Sequence, residues 1–367
     1  MKLEELDICL TDKCNLYCDF CSVQAHEKAD EISFTKIKEI IDQSIEYGLE
    51  ELHLTGGEPT LRDDLEDIIS YSTSKKLNVR LITNGTLLNE ERLNQLRKCG
   101  LKSIMISLDG LTAYHDSIRG CGTYERTMAT IVNALSLGML VRVNSVAWMN
   151  NKDEILQLAD LMNKLGVHVY SIFLGSPLGY AKKHKENILT TDMWREFYQS
   201  LRNVTFYQKY KTKIVMEKGF LYPDEEFDLD MLQGRGRGCY KITNYCDYLL
   251  VRSNGNVYPC VFFSNEALPI GNIYENSLMD ILCSFKHNEF YENIGKYPSE
   301  CMSCDKVYLC KGGCRGYAKI YNDDWMARDP RCDQHVSSGI IPLCPIIKHN
   351  LNEDRLGGSS EQVLRKQ

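Results

Sequence analysis

The sequence predicts an α/β protein: a partial (β/α)6 barrel followed by a small cysteine-rich carboxyl-terminal domain. Three observations lead there. Strand-like and helix-like apolar patterns alternate through the first half of the chain, which is the signature of a parallel sheet with its helices outside. At 367 residues the chain exceeds what one hydrophobic core ordinarily serves, so more than one domain is expected. Thirteen of its sixteen cysteines crowd into two stretches, Cys9 to Cys21 and Cys239 to Cys332, with only Cys99 and Cys121 between them.

Leu6, Ile8 and Leu10 alternate as a first strand that runs into the cysteine loop, and helical spacing follows from Phe34 to Tyr47. A second strand, Glu51 to Leu54, precedes a helix near Leu61 to Ser74. The third, Val79 to Ile82, stops at Thr83-Asn84-Gly85 before a helix from about Glu90 to Lys98. Then come a strand at Ile104 to Leu108, a helix near Tyr124 to Leu137, a strand at Leu140 to Ala147, a helix near Asp153 to Leu165 and a strand at Val167 to Leu174. Six strands rather than eight predict an open barrel. Ligands of such sheets gather at the carboxyl ends of the strands. The cysteine loop, Gly56-Gly57-Glu58-Pro59, Thr83-Asn84-Gly85 and Ser107-Leu108-Asp109-Gly110 all fall there, so one site is expected.

After Gly175 the pattern becomes irregular. The expected boundaries are a barrel over 1–180, a bridging linker over 181–238 with a helix near Met193 to Val204, a cysteine-rich domain over 239–345 and a loosely docked polar tail over 346–367. Gly234-Arg235-Gly236-Arg237-Gly238 reads as a flexible junction, and Lys182, Lys183 and Lys185 as a solvated loop. The cysteine-rich segment has too little apolar periodicity for a large core, so bound metal must supply part of its folding energy.

A net charge of −7 without a clustered basic face argues against nucleic acid as a partner. No run of about eighteen apolar residues spans a bilayer, and the charged, strand-like start is no export signal. A cytoplasmic protein is expected, and its cysteines read as metal ligands rather than disulfides.

Cys14, Cys18 and Cys21 are spaced Cys-x3-Cys-x2-Cys within one loop. Structural zinc prefers four closed ligands, whereas three thiolates leave one position open. His26 offers a fourth ligand but lies beyond the loop and reads as a surface residue. A 4Fe-4S cluster held by three cysteines has one iron free for a substrate or cofactor.

The three-cysteine motif, with aromatic Phe20 before its last member, is followed by Thr55-Gly56-Gly57-Glu58-Pro59 after the second strand. This pairing resembles the radical S-adenosylmethionine (SAM) superfamily. The resemblance implies that the free iron chelates the amino and carboxylate groups of SAM, and that one electron cleaves the sulfonium bond to give methionine and a 5'-deoxyadenosyl radical. That radical abstracts hydrogen from a substrate. By the same resemblance Gly56, Gly57 and Glu58 meet the SAM amino group, Phe20 belongs to the cofactor site, and Ser107 contacts the ribose. Asn84, Asn144 and Arg142 read equally as site residues or as hydrogen-bonded core groups.

Cys301-x2-Cys304-x5-Cys310-x3-Cys314 and Cys332 follow Cys239, Cys246 and Asn254-Gly255-Asn256-Val257-Tyr258-Pro259-Cys260. This set resembles the SPASM domain, an extension of peptide-modifying radical SAM enzymes that holds two auxiliary 4Fe-4S clusters. Carried over, Cys239, Cys246, Cys260 and Cys314 ligate the first auxiliary cluster, and Cys301, Cys304, Cys310 and Cys332 the second. A pair of zinc ribbons fits Cys-x2-Cys alone but not the longer continuation. The two resemblances span roughly residues 6 to 335 and leave Cys9, Cys99, Cys121, Cys283 and Cys344 unassigned. Cys9, Cys99 and Cys283 read as small buried hydrophobes. Cys121, in Arg119-Gly120-Cys121-Gly122, is either a surface thiol or a hydrogen donor to a substrate radical.

Auxiliary clusters fully ligated by cysteine move electrons rather than bind substrate, so the expected activity is that of an oxidoreductase. If Cys239 is not a ligand, an auxiliary iron is open to substrate. The leading expectation is oxidative maturation of a peptide or protein. The alternative is oxidation or epimerisation of a sugar, or decarboxylation of a porphyrin as in haem synthesis. A non-catalytic iron-sulfur electron carrier is the third. The layout is similar to that of the sulfatase maturases, but those place a general-base Asp after the cysteine that aligns with Cys260, where this chain has Val261. Because Met1 opens directly on the first strand, a peptide substrate is expected to be recognised by the barrel mouth, by the auxiliary domain, or through a separate leader-peptide-binding partner. A flavodoxin or ferredoxin is the expected electron donor, in a reducing and anaerobic setting.

Overall fold

A computed structural model of the chain describes residues 2–23, 30–217, 248–265, 269–294, 296–305, 307, 312–330 and 332. His26, the 234–238 junction, Cys239, Cys246, Cys310, Cys344 and the tail lie outside the described residues.

Eight parallel strands form the body of one sheet: β1 (Glu5–Cys9), β2 (Glu51–Thr55), β3 (Asn78–Thr83), β4 (Ser103–Ser107), β5 (Leu140–Ala147), β6 (Val169–Leu174), β7 (Lys213–Glu217) and β8 (Tyr248–Val251). Strands β9 (Asn256–Tyr258) and β10 (Gly271–Asn272) extend it antiparallel, giving the order β10-β9-β8-β1-β2-β3-β4-β5-β6-β7. The barrel is open, with β7 and β10 at its two edges. Helices α1 (Phe34–Glu46), α2 (Leu65–Ser74), α3 (Glu90–Lys98), α4 (Thr112–Arg119), α5 (Thr123–Ser136), α6 (Lys152–Leu165) and α7 (Thr191–Gln208) connect the strands.

The period-2 pattern explains which face each residue takes. Leu6, Ile8, Leu52, Leu54, Ile104, Ile106, Val141 and Val143 are fully buried in one core with Ile37, Ile41, Ile131 and Leu158 from the helices. The alternate positions, among them Asp7, His53, Arg80 and Asn144, look onto the concave face. There His53 Nδ1 lies 2.7 Å from Asp7 and 2.9 Å from Glu5, while its Nε2 is 2.6 Å from the Arg80 guanidinium. Arg80 only donates, so Nε2 accepts and Nδ1 carries the proton to the carboxylates. Tyr248 donates to Asp7 at 2.9 Å, tying β8 into the same network.

Within 181–238 the expected helix is α7, and it is followed by β7, which pairs in parallel with β6. Strand β8 of the cysteine-rich region joins β1 directly, so that region shares the barrel's sheet. Helix α4 went unread because Asp109 and Gly110, both turn formers, stand just before it, and its eight residues, TAYHDSIR, are too few to repeat an apolar pattern over several turns.

Among the described residues the carboxyl-terminal helices with stated bounds are α8 (Val261–Asn265), α9 (Leu278–Lys286), α10 (Glu289–Ile294) and α11 (Arg315–Asn322). Cys9 is buried as expected and Cys99 half-buried, but Cys283 is exposed, because Leu278, Ile281, Leu282 and Phe285 take the inward stripe of α9. Helix α11 docks on the barrel mouth: the buried Tyr317 hydroxyl donates to the Leu174 carbonyl at the end of β6, 2.8 Å away. Tyr317→Phe is expected to loosen this docking by about 1 kcal/mol. Hydrogen exchange should then rise in α11 and remain unchanged in β1 to β4.

Among the described residues no helix is long and apolar enough to cross a membrane.

Candidate active site

The cysteine loop is held from below by the glycines that follow β2. The Gly57 N–H donates to the Thr11 carbonyl at 2.7 Å, and the Glu58 N–H to the Lys13 carbonyl at 2.8 Å. A Cβ on Gly56 would stand 2.4 Å from the Thr11 oxygen, and one on Gly57 2.2 Å from the Lys13 oxygen. Close approach is the reason for glycine here, as the motif suggested, and in this fold the approaching chain is the cysteine loop itself.

Glu58 has protein partners on both of its carboxylate oxygens. Its side chain is fully buried, with Oε1 accepting from the Thr60 N–H, the Thr60 hydroxyl and the Thr83 hydroxyl, and Oε2 from the Asn84 N–H. Burial pushes its pKa up against these donors. The carboxylate therefore ties the end of β2 to the end of β3. Asn84 continues the chain of contacts: its Nδ2 donates to Asn15 Oδ1 at 2.9 Å, and Asn15 Nδ2 donates to the Thr86 hydroxyl at 2.8 Å. Asn15 lies between Cys14 and Cys18, so the third strand end orients the cysteine loop.

Cys14, Cys18 and Cys21 are each half-exposed. Burial pushes Cys14 up to about 11, with the neighbouring charges of Glu58, Cys18 and Cys21 adding to the rise. Burial also raises Cys18, while Arg119 opposes the rise. Thiols so placed shed their protons when metal binds. Cys14 feels the charges of both Cys18 and Cys21, and Cys18 that of Cys21, so the three thiols lie near one another and offer three donors to one centre. Three such donors leave one iron of a 4Fe-4S cluster open. The Glu5-Asp7-His53 group, whose ligand atoms lie within 4.8 Å of one another, is already engaged in its own hydrogen bonds.

Above the loop's neighbours runs a polar row. Ser107 at the end of β4 is in register with Asn144 on β5, and Asn144 with Ser171 on β6. Ser107 Oγ lies 3.5 Å from Asn144 Oδ1. Ser171 is buried and its Oγ has no hydrogen-bond partner, an orphan that a ligand's polar group would satisfy. Ser171 was not singled out in the sequence, because a lone serine inside an apolar strand carries no pattern. Gly56, Gly57, Asn84, Ser107 and Asn144 are brought to one mouth beside the cysteine loop.

Two further residues join the site without having been expected. The Arg119 guanidinium lies over the Phe20 ring, 5.4 Å from its centroid, and pairs with buried Asp109 at 2.6 Å. Against the cost of burial, Asp109 and the nearby thiols of Cys18 and Cys21 hold its pKa above the ordinary arginine value. Trp148, just past β5, packs against Phe20 with ring centroids 6.2 Å apart. Arg119 belongs to α4, the unread helix, which is why it was missed. Cys121 is exposed in the turn between α4 and α5, where it lines a cavity with Asn15, Tyr17 and Asp19 on the flank of the loop.

Of the second cysteine set, Cys260, Cys301, Cys304, Cys314 and Cys332 are described. Cys260 and Cys314 face each other: burial pushes Cys260 up to about 12, with Cys314 the next contributor. Phe262 wedges against Gly316 and Tyr317, holding the two segments together. Asp329 links this pair to the other set, since its carboxylate accepts from the Cys314 N–H at 2.7 Å and its carbonyl from the Cys332 N–H at 3.1 Å. Arg252 donates to the Val23 carbonyl, and the Tyr180 N–H to the Cys21 carbonyl, so both later segments also touch the first loop.

Residues 8–149 match the radical SAM superfamily, and residues 239–305 match SPASM, an iron-sulfur cluster-binding domain. The chain is 31% identical over 278 residues to the GTP 3',8-cyclase of Aquifex aeolicus, covering 71% of this chain and 82% of that protein. It is 27% identical over 340 residues to the AdoMet-dependent heme synthase of Nitratidesulfovibrio vulgaris, covering 88% and 90%. With the PqqA peptide cyclase of Rhizobium meliloti it shares 28% over 332 residues, covering 88% and 85%. The fold matches that of Streptococcus suis SuiB bound to S-adenosylmethionine, with a TM-score of 0.73 at 22% identity over 90% of this chain and 77% of that one. The chain therefore belongs to the radical SAM superfamily and carries its SPASM extension, an S-adenosylmethionine-binding 4Fe-4S barrel joined to a region for auxiliary iron-sulfur clusters.

Proposed function

We propose that the protein is a radical SAM oxidoreductase that oxidatively modifies a peptide or protein. Bound together, the reduced cluster and S-adenosylmethionine supply one-electron bond cleavage and hydrogen abstraction. Cys14, Cys18 and Cys21 hold the cluster, and Gly56 and Gly57 set the height of its loop. Ser107, Asn144 and Ser171 offer polar groups to the ribose or adenine side of the cofactor. Phe20 and Trp148 wall the mouth against water, and Arg119 offsets negative charge gathered at the loop. Cys121, exposed on the flank of that loop, is kept as a surface thiol; Cys121→Ala leaves turnover intact if that is so and abolishes hydrogen return to substrate if it is the donor. Cys260 and Cys314, with Cys239 and Cys246, hold the first auxiliary cluster, and Cys301, Cys304, Cys310 and Cys332 the second.

The observation that carries the oxidative assignment is the docking of the second cysteine region at the mouth, through Tyr317 and Leu174. Substrate held there sits between the site of hydrogen abstraction and a set of thiolate-bound centres able to accept its remaining electron. Peptide as substrate is supported by relatives named as PqqA peptide cyclases. A second assignment, decarboxylation of a porphyrin side chain, is supported by the heme synthases, which match over as much of this chain. The test is anaerobic: reconstituted protein, dithionite and S-adenosylmethionine, with either a candidate precursor peptide or a porphyrin carrying propionate groups. Loss of two hydrogens or a new cross-link in the peptide, with 5'-deoxyadenosine formed in proportion, supports the first. Carbon dioxide release from the porphyrin replaces it with the second, and absence of 5'-deoxyadenosine under every condition overturns both.

A further inference from the structure

The three lysines that read in sequence as a solvated loop, Lys182, Lys183 and Lys185, lie on a strap that follows β6 and contains the kinked 3-10 segment Gly179–Asn187. We propose that this strap is the docking surface for an acidic segment of the peptide substrate, held outside the mouth while the residue to be oxidised enters it. The proposal rests on the assignment of a peptide substrate.

Backbone contacts fix its course. The Gly175 N–H donates to the Ala147 carbonyl at 2.9 Å, the Tyr180 N–H to the Cys21 carbonyl at 3.0 Å, and the Met149 N–H to the Asn187 carbonyl at 2.8 Å. The strap therefore leaves the end of β6, touches the last cysteine of the loop and returns to the end of β5. Its inner side is closed: Pro177, Leu178, Gly179 and Ala181 are buried, and a Cβ on Gly175 would stand 2.6 Å from the Trp148 ring. Lys182, Lys183 and Lys185 are exposed, so their charge stands at the entrance of the site rather than within it.

On the strap, from Gly175 to Asn187, Glu186 opposes the three lysines, and its carboxylate lies 3.9 Å from His184. Lys183 leans over the Tyr180 ring, 5.7 Å from its centroid, which leaves its charge in place. Exposed Asp19 on the cysteine loop and Asp192 at the start of α7 subtract from the positive charge, while Lys152 and Asp153 at the start of α6 cancel. Arg252 adds a cation beyond Cys21, donating to the Val23 carbonyl at 3.0 Å. The entrance is thus positive on a chain that carries −7 overall, which orients an acidic partner. The form of the cation set selects the occupant. Consecutive residues of a 3-10 turn point ~120° apart, so Lys182 and Lys183 do not converge on one compact anion. Arginine forks suit such an anion better, whereas lysines act as separate point charges. Three residues at ~2.0 Å rise place Lys182 and Lys185 ~6 Å apart along the strap, close to the ~6.6 Å between same-side residues of an extended peptide.

The test uses the full reconstituted protein, a labelled synthetic peptide carrying a run of glutamates, and the same peptide with glutamines in their place. Binding is read by fluorescence anisotropy at low and at near-physiological ionic strength, and 5'-deoxyadenosine formed with dithionite is measured alongside. The parent is expected to bind the glutamate peptide about tenfold tighter than the glutamine peptide at low salt, with the difference shrinking as salt rises. Lys182→Glu/Lys185→Glu should abolish that preference and Lys182→Gln/Lys185→Gln reduce it, both with parental iron content and dithionite rate. Lys209→Glu/Lys211→Glu changes the charge by the same amount on exposed residues at the opposite end of the sheet, just before β7. It should leave the preference within about twofold of the parent. Equal binding of the two peptides to the parent, or equal loss of preference in the strap and distal variants, overturns the docking surface. Loss of iron in both strap variants overturns it as well, since the lysines would then be supports of the cysteine loop. Binding of a tetracarboxylate porphyrin to the strap in place of the glutamate peptide also overturns it and favours the second assignment. Absence of 5'-deoxyadenosine from the parent overturns instead the proposed function, and the peptide measurements still decide the docking surface.

Discussion

Cys18→Ala is expected to abolish reductive cleavage of S-adenosylmethionine while leaving about eight irons per chain in two auxiliary clusters. Cys18 is the middle of the three proposed ligands of the loop, half-exposed and electrostatically linked to Cys21 and Arg119. Removing it leaves two thiols, too few to hold the cluster that binds the cofactor. Iron and sulfide per chain, measured beside 5'-deoxyadenosine after dithionite, report the result. Loss of all iron would mean that the barrel and auxiliary sites assemble as one cooperative unit, which the contacts of Arg252 with Val23 and Tyr180 with Cys21 make structurally sensible. Cleavage at the parental rate would refute the ligand assignment. Cys283→Ala, on the outer face of α9, serves as the control and should alter neither quantity.

Gly57→Ala is expected to lower S-adenosylmethionine cleavage by at least about a hundredfold and to destabilise the barrel by about 2–4 kcal/mol. The new Cβ meets the Lys13 carbonyl oxygen at 2.2 Å, and backbone on both sides must separate. Separation breaks the bonds from the Gly57 and Glu58 N–H groups to Thr11 and Lys13, which lead directly into Cys14. Gly122→Ala gives the contrast. Its φ of +72° strains any side chain, but a Cβ there meets nothing within 4 Å. That change should cost about 1 kcal/mol and leave barrel iron intact. Denaturant midpoints and iron content measured on both variants separate steric displacement of the loop from simple backbone strain. Equal effects from the two substitutions would sink the claim that the glycines set the height of the cysteine loop.

Much of the barrel was legible because period-2 and period-3.6 patterns are local properties of a chain. Leu6 and Ile8, Leu52 and Leu54, Val141 and Val143 alternate with polar residues, and that alone identifies half-buried strands. The partners of those strands were not legible. Nothing local to Tyr248–Val251 says that it lies beside β1, and β7 follows a legible helix but sits in a stretch whose overall pattern is irregular. Pairing of β1 with β8, more than two hundred positions apart, is a property of the assembled sheet.

The candidate site divides in the same way. Cys14, Cys18, Cys21, Gly56 and Gly57 were identified by spacing and residue type, since thiolates at short intervals and paired glycines have few other uses. Arg119, Trp148 and Ser171 carry no such signature; they matter because of what folding places beside them. Glu58 shows the difference within one motif. Its presence was evident from the chain, but only the folded sheet reveals that Thr60, Thr83 and Asn84 saturate its carboxylate. By itself the sequence carried the motifs that resemble the superfamily, the repeating α/β pattern and the residue types of the candidate ligands, because motifs and periodicity are short-range properties. Tertiary structure alone decided that the second cysteine region shares the barrel's sheet, that Tyr317 seats it on the mouth, and that arginines flank the cysteine loop, because each depends on distances that exist only once the core has closed.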